Sequence, residues 1–283
     1  MIRDPRLPAM MRLWQDTFGD SDAFVRLFFT RVYRPQNALT TCRDGRLAAM
    51  LHLVPYALRI GHRTLPAAYI CGVSTRPAVR GQGLMTALMR RALRTMRRRG
   101  FALTTLIPAE PWLFDVYAHL GYVHPIQTCD ERIATADLPL APPDVRIAPC
   151  TDARFYAAFE HLERRRPCAI LHTARDFDTI RLDCESDGGS VLVALADGRP
   201  VGFLFEAPEE GGVVRVKELL ADVADTETAL LRAAATRHGA TQLRIRRPPQ
   251  PGCPSQPYGL AARLDDRLSA ADIARLHMAL MLD

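Results

Sequence analysis

Apolar and polar residues follow two periods along this chain, and the switches between them outline its elements. Residues 7–18 and 22–33 carry apolar positions at helical spacing, and Ser21 or Asp20 can cap the second helix. Period-two patterns at 38–42 and 47–60 flank Asp44-Gly45, which predicts a hairpin. Gly61 turns the chain back through an apolar run at 65–73. That run ends in Ser74-Thr75-Arg76-Pro77, where the residue before proline is held extended. Leu84, Ala87, Leu88, Ala92 and Met96 then recur at helical spacing up to Gly100, which is placed to end a helix. A strand at 101–107, a short helix at 112–119 stopped by Gly121 and a closing strand at 122–133 complete the first half.

Residues 138–149, LPLAPPDVRIAP, hold four prolines and read as a linker. Beyond them the same order returns. Helical patterns at 152–165 and 174–184 precede a hairpin, 190–195 and 199–205, around Asp197-Gly198. A strand at 213–220, a helix at 226–237 before Gly239 and a strand at 242–246 follow. The expectation is an α/β protein with one domain over 1–137 and a second over 150–250. A short tail, 251–283, has one strand-like piece and an apolar end.

Composition narrows the function. The chain has 283 residues, 48% apolar and 24% charged, as in soluble globular proteins. It lacks eighteen uninterrupted apolar residues and a secretory signal pattern, so a cytoplasmic protein without a membrane partner is expected. Seven scattered cysteines form no C-x-x-C pair, which argues for free thiols and against a metal site. The net charge of +6 is almost all arginine; Lys217 is the only lysine. Arg97-Arg98-Arg99 and Arg164-Arg165-Arg166 sit where helices end, which the helix dipole favours, and no aromatic residues interleave with them. Nucleic acid is therefore not an expected partner.

The chemistry concentrates at Arg80-Gly81-Gln82-Gly83, between the apolar run and a helix. Two glycines let the backbone bend tightly and approach a ligand, and the unpaired N–H groups of a helix start favour an anion. No Gly-Lys-Ser/Thr follows, and the third glycine of a dinucleotide fingerprint is missing. The pattern resembles motif A of the GNAT acyltransferases. The strand at 103–107 and the element Tyr117 to Gly121-Tyr122, similar to that family's Tyr-x-x-x-Gly-Tyr, strengthen the resemblance.

The resemblance implies two tandem GNAT-like domains, each a mixed, mostly antiparallel sheet flanked by helices, with acetyl-CoA as co-substrate. It implies that backbone groups of Val73 and Thr75 pair with the pantetheine arm. Arg80, Gly81, Gln82, Gly83, Leu84 and Met85 would hold the pyrophosphate. Tyr117 would act as general acid toward the thiolate, with a packed aromatic as the alternative role. The tandem order also resembles the Eis-like (enhanced intracellular survival) acetyltransferases, with no full third domain here. That implies Asp283, through its terminal carboxylate, as the base, against a functionless terminus. In the second half the matching place is Ala221-Asp222-Val223-Ala224-Asp225, with no glycine and two carboxylates, so no coenzyme is expected there.

The reading is an N-acetyltransferase acting on a primary amine of a small molecule or peptide, by direct attack in a ternary complex. A non-catalytic acyl-CoA-binding or scaffold protein is the alternative, and a homo-oligomer is compatible with either. Asp20, Asp22 and Glu110, with Trp112 and Phe114 nearby, would suit a cationic acceptor.

Overall fold

The computed structural model describes residues 4–142 and 144–282. Asp283 lies outside the described residues.

The first half runs α1 (Leu7–Phe18), α2 (Asp22–Leu27), β1 (Ala38–Arg43), β2 (Arg46–Ile60), β3 (Arg63–Thr75), α3 (Leu84–Arg98), β4 (Leu103–Leu106), α4 (Leu113–Ala118) and β5 (His124–Ala134). The second runs β6 (Arg146–Pro149), α5 (Tyr156–Glu163), β7 (Cys168–Leu171), α6 (Ala174–Ser186), β8 (Ser190–Ala196), β9 (Arg199–Glu209), β10 (Val213–Ala221), α7 (Ala224–His238) and β11 (Gln242–Arg247). Then come β12 (Ser255–Arg263) and α8 (Ala270–Ala274).

Contacts group these elements into two compact units. One holds the chain up to Ile126 together with Tyr258–Leu276; the other holds Gln127–Pro257 and His277–Leu282. The division between the units falls after Ile126, and the residues from Tyr258 onward are shared between them. Strand pairing explains why. β12 pairs antiparallel with β4, Leu260 opposite Leu106, while β5 pairs with β11, Ile133 opposite Leu243.

In the first unit the strand order is β1-β2-β3-β4-β12, with β3 and β4 parallel. Leu84, Leu88, Met89, Ala92 and Met96 of α3 form the stripe that packs on Leu51, Leu53, Ile70, Leu106, Leu260 and Ala262. Successive strand residues point to opposite faces. His52 accordingly turns away from that cluster, into the rings of Trp14, Phe28, Phe29 and Tyr33. The single helix expected over 22–33 is broken here. Ser21 Oγ accepts from the Phe24 amide at 3.1 Å and caps α2, but Phe28–Val32 is a wider π-type turn. The extra residue per turn brings Phe28, Phe29 and Tyr33 inward together, all buried.

In the second unit the order is β5-β11-β10-β9-β8-β6. β10 and β11 are parallel, and α7 packs Leu230, Leu231 and Ala234 on Leu192, Leu204, Val214 and Leu243. Phe159, Phe177, Phe203 and Phe205 form a second aromatic cluster. The expected linker contains a strand after all: Ile147 of β6 pairs with Ala194 of β8. β6 lies at the sheet edge, where a terminal proline costs no ladder bond.

The chain's last described segment is anchored by charge. Glu218 is buried and receives Arg166 in bidentate fashion at 2.7 and 2.8 Å, His277 Nε2 at 2.7 Å and the Leu219 amide at 2.8 Å. Burial alone would raise its pKa, but Arg166 and His277 overcome that and hold it well below the carboxylate range. The His277 amide also donates to the Cys168 carbonyl at 2.9 Å.

Candidate active site

The site begins with a defect in a strand. Along β2 and β3, His52 pairs with Cys71 and Met50 pairs with Ser74, so Gly72 and Val73 together stand opposite Leu51. This is a bulge, and Gly72 takes the positive φ of 59° that it requires. No side chain fits at Gly72, because a Cβ there would lie 2.3 Å from Trp14 Cζ3 and 3.0 Å from His52 Cδ2. On its other side, β3 pairs with β4 only at Ala67–Leu103, Ala68–Thr104 and Tyr69–Thr105. Past Tyr69 the two strands share no ladder, and the backbone of β3 is left without a strand partner on that side, among the described residues.

β3 then leads into a 3-10 turn, Pro77–Val79, and the glycine loop. The Arg76 amide ties the loop start to the Ala48 carbonyl at 2.9 Å. Arg80 Nε donates to the Thr75 carbonyl at 3.0 Å, so the arginine stem folds over its own loop. Gly81 and Gly83 have φ of 76° and 72°, and a Cβ on either would meet nothing within 4 Å among the described residues. Gly83 is the N-cap of α3; no side chain caps the helix and no acidic residue lies in its first turn. The first amides of α3 thus have no side-chain cap and stand at the positive end of the dipole. A pyrophosphate fits such a cradle on both shape and charge.

The second unit repeats the frame without the cradle. β10 carries a bulge between Val216 and Glu218, next to its parallel ladder with β11. The helix that follows, α7, has Val223 as its N-cap and Asp225 and Glu227 in its first turn, and Asp222 accepts from Thr226 Oγ1 at 2.8 Å. Carboxylates occupy the place where a phosphate would need amides.

Tyr117 projects from α4 into the core cluster that also takes Leu84, with Val73 and Met85 packed against it. Tyr117 and Leu84 thus belong to one core cluster, and Val73 and Met85 pack against it. The ring lies edge-on to Tyr122 at 6.1 Å, and the Tyr122 hydroxyl meets Thr104 Oγ1 at 3.2 Å. The Tyr117 carbonyl accepts the Leu120 and Tyr122 amides at 2.9 and 3.1 Å, which closes the turn at Gly121. Desolvation pushes the Tyr117 pKa up to about 12. This phenol is protonated at neutral pH.

Of the acidic residues expected to suit a cationic acceptor, Asp20 and Asp22 have structural partners. Asp20 accepts from Trp14 Nε1 at 2.7 Å; Asp22 accepts from Gln15 and pairs with Arg26 at 3.8 Å. Glu110 is exposed, and Trp112 is 64% exposed. Gly72, Trp14 and His52 were not among the sequence candidates. The available signal was a lone glycine inside an otherwise apolar strand run, which marks a bulge.

A bulged strand parts here from its parallel neighbour beside an uncapped helix start. Residues 2–124 match the family model of the acetyltransferase (GNAT) domain, so the first half of this acyltransferase is a GNAT domain. Solved structures of the same fold extend over 92–94% of the chain. A GCN5-related N-acetyltransferase from Anabaena variabilis is 13% identical over 93% of this chain and 71% of that chain, with a TM-score of 0.74. Eis1 from Mycobacterium abscessus is 13% identical over 94% and 73%, with a TM-score of 0.70. A tandem GNAT protein from the clavulanic acid biosynthesis pathway is 14% identical over 92% and 94%, with a TM-score of 0.53. At these identities the likeness is one of fold: two GNAT-like units in tandem. No curated protein matches the chain in sequence.

Proposed function

We propose that this chain transfers an acetyl group from acetyl-CoA to a primary amine by direct attack in a ternary complex. The observation that carries this is the open, uncapped start of α3 directly after the strand that bulges and parts from β4. Main-chain amides of Gly81 to Met85 would hold the pyrophosphate. Arg80, tethered to Thr75 through Nε, keeps its terminal nitrogens for a phosphate oxygen. The Thr75 carbonyl already accepts that bond, so pairing with the pantetheine arm falls mainly on Val73.

The amine lone pair attacks the thioester carbonyl carbon while the two are held in register. As the C–S bond breaks, the departing sulfur takes the Tyr117 hydroxyl proton, and the proton that the attacking nitrogen sheds passes through solvent to restore the phenol. A covalent acyl-enzyme has no support here, because Cys71, the cysteine beside the bulge, is buried and desolvation pushes its thiol pKa up. The test is calorimetric titration with acetyl-CoA, followed by a thiol-release assay over a panel of small-molecule and peptide amines. Binding together with turnover on at least one amine is expected. Tight binding without turnover on any amine would leave a coenzyme-binding protein, and no binding would remove the cradle.

A further inference from the structure

The Cys129 and Cys253 side chains come from segments far apart in sequence and meet where a sheet seam ends. Cys129 stands opposite Arg247, the last pair in the ladder between β5 and β11. Beyond Arg247 the chain leaves the sheet at Pro248, whose carbonyl accepts the Cys129 thiol at 3.6 Å. It then turns back, with the Cys253 amide donating to the Gln250 carbonyl at 3.3 Å, and this brings the Cys253 side chain beside Cys129. Both residues lie in the second compact unit. No part of the acyl-transfer reading uses them.

We propose that Cys129 and Cys253 form an oxidative modification site, closing to an intramolecular disulfide when a peroxide is the oxidant. Cys253 is half-exposed and reacts first; Cys129 is buried, with desolvation and the Cys253 contact pushing its pKa up to about 11. The Cys253 thiolate attacks one peroxide oxygen, the O–O bond breaks, and the other oxygen leaves as water after protonation. The Cys129 sulfur then attacks the sulfenic sulfur of Cys253, forming the S–S bond and expelling a second water. The balance is two thiols and one hydrogen peroxide to one disulfide and two waters.

The bond would pin residues 248–253 to β5, just past the point where main-chain pairing stops. Those residues lead directly into β12, so the staple limits how that strand's start can move.

The test is stoichiometric hydrogen peroxide on the full chain, with intact mass, thiol counting after denaturation and peptide mapping. Expected are a loss of two hydrogens, a fall from seven titratable thiols to five, and one cross-linked peptide joining Cys129 to Cys253. Exposed Cys42 is the competing thiol at one equivalent of peroxide, and it should remain titratable while the pair closes. The Cys253→Ser variant should form no such cross-link, and it keeps the buried Cys129 packed, so misfolding does not confound it. The wild type should also show a higher Tm after oxidation, reversed by dithiothreitol, while Cys253→Ser shows neither change. Oxidation of Cys42 with Cys129 and Cys253 both still titratable would overturn the proposal. So would a cross-link joining other cysteines.

Discussion

Gly72 lies directly beneath the indole of Trp14: a Cβ on the glycine would sit 2.3 Å from Cζ3 and 2.8 Å from Cε3. The contact couples α1 to the bulge of β3, so the helix that shapes one face of the sheet also sets the site's backbone.

Gly72→Ala should therefore destabilise the protein by about 3 kcal/mol or more, combining overpacking with a positive φ that alanine disfavours. Trp14 is only 3% exposed and has nowhere to go. Urea unfolding of the purified variant checks this; a midpoint unchanged from wild type would mean the indole moves aside freely.

Gly83→Glu should abolish acetyl-CoA binding while the chain remains folded. The carboxylate would occupy the open space at the α3 start and repel a pyrophosphate. Backbone strain from a side chain at positive φ costs on the order of 1 kcal/mol. Gly83→Ala carries the same strain without the charge and separates the two effects. Calorimetry should show the glutamate variant silent and the alanine variant weakened at most.

Tyr117→Phe should lower kcat by about 10²–10⁴-fold and leave acetyl-CoA affinity nearly unchanged. With the phenol held at a pKa of about 12, the wild-type rate should show no alkaline fall from Tyr117 below that pH. Near wild-type turnover in the phenylalanine variant would reduce Tyr117 to packing.

His52 should make stability pH-dependent. Desolvation, assisted by the positive charge of Arg6, pushes its pKa down to about 3, while the unfolded side chain titrates near 6.5. Between those values the unfolded state binds the extra proton, so stability is full above pH 6.5 and falls as pH drops toward 3. The loss is about 1.4 kcal/mol per pH unit inside the window. Urea midpoints at pH 7.5 and 5.0 should differ in wild type and converge in His52→Phe. An equal slope in that variant would assign the effect to other groups.

The parts of this protein visible in its sequence were those written in short-range chemistry. The glycine loop with its helix, the Asp-Gly hairpins and the carboxylates that bar the second cradle all depend on neighbours in sequence. What stayed hidden depends on distant partners. β12 was visible only as a strand-like piece, because Leu260, Ala261 and Ala262 are buried on both faces and show no alternation. The exchange of β5 and β12 between the units is a choice of partner, and local pattern carries no record of it. The π-type turn at Phe28–Val32 follows from three aromatic rings converging on His52, not from any helix-breaking residue.

The return of β12 to β4 sets an order of events during synthesis. Leu106 must wait for Leu260, so the first unit emerges from the ribosome with one edge of its sheet bare. All of β5 to β11 is made in the meantime and can fold on its own ladders. A non-local pairing of this kind is slow to form and leaves a strand edge open to wrong partners. The first unit, although its translation begins first, is completed only after nearly all of the second has been made.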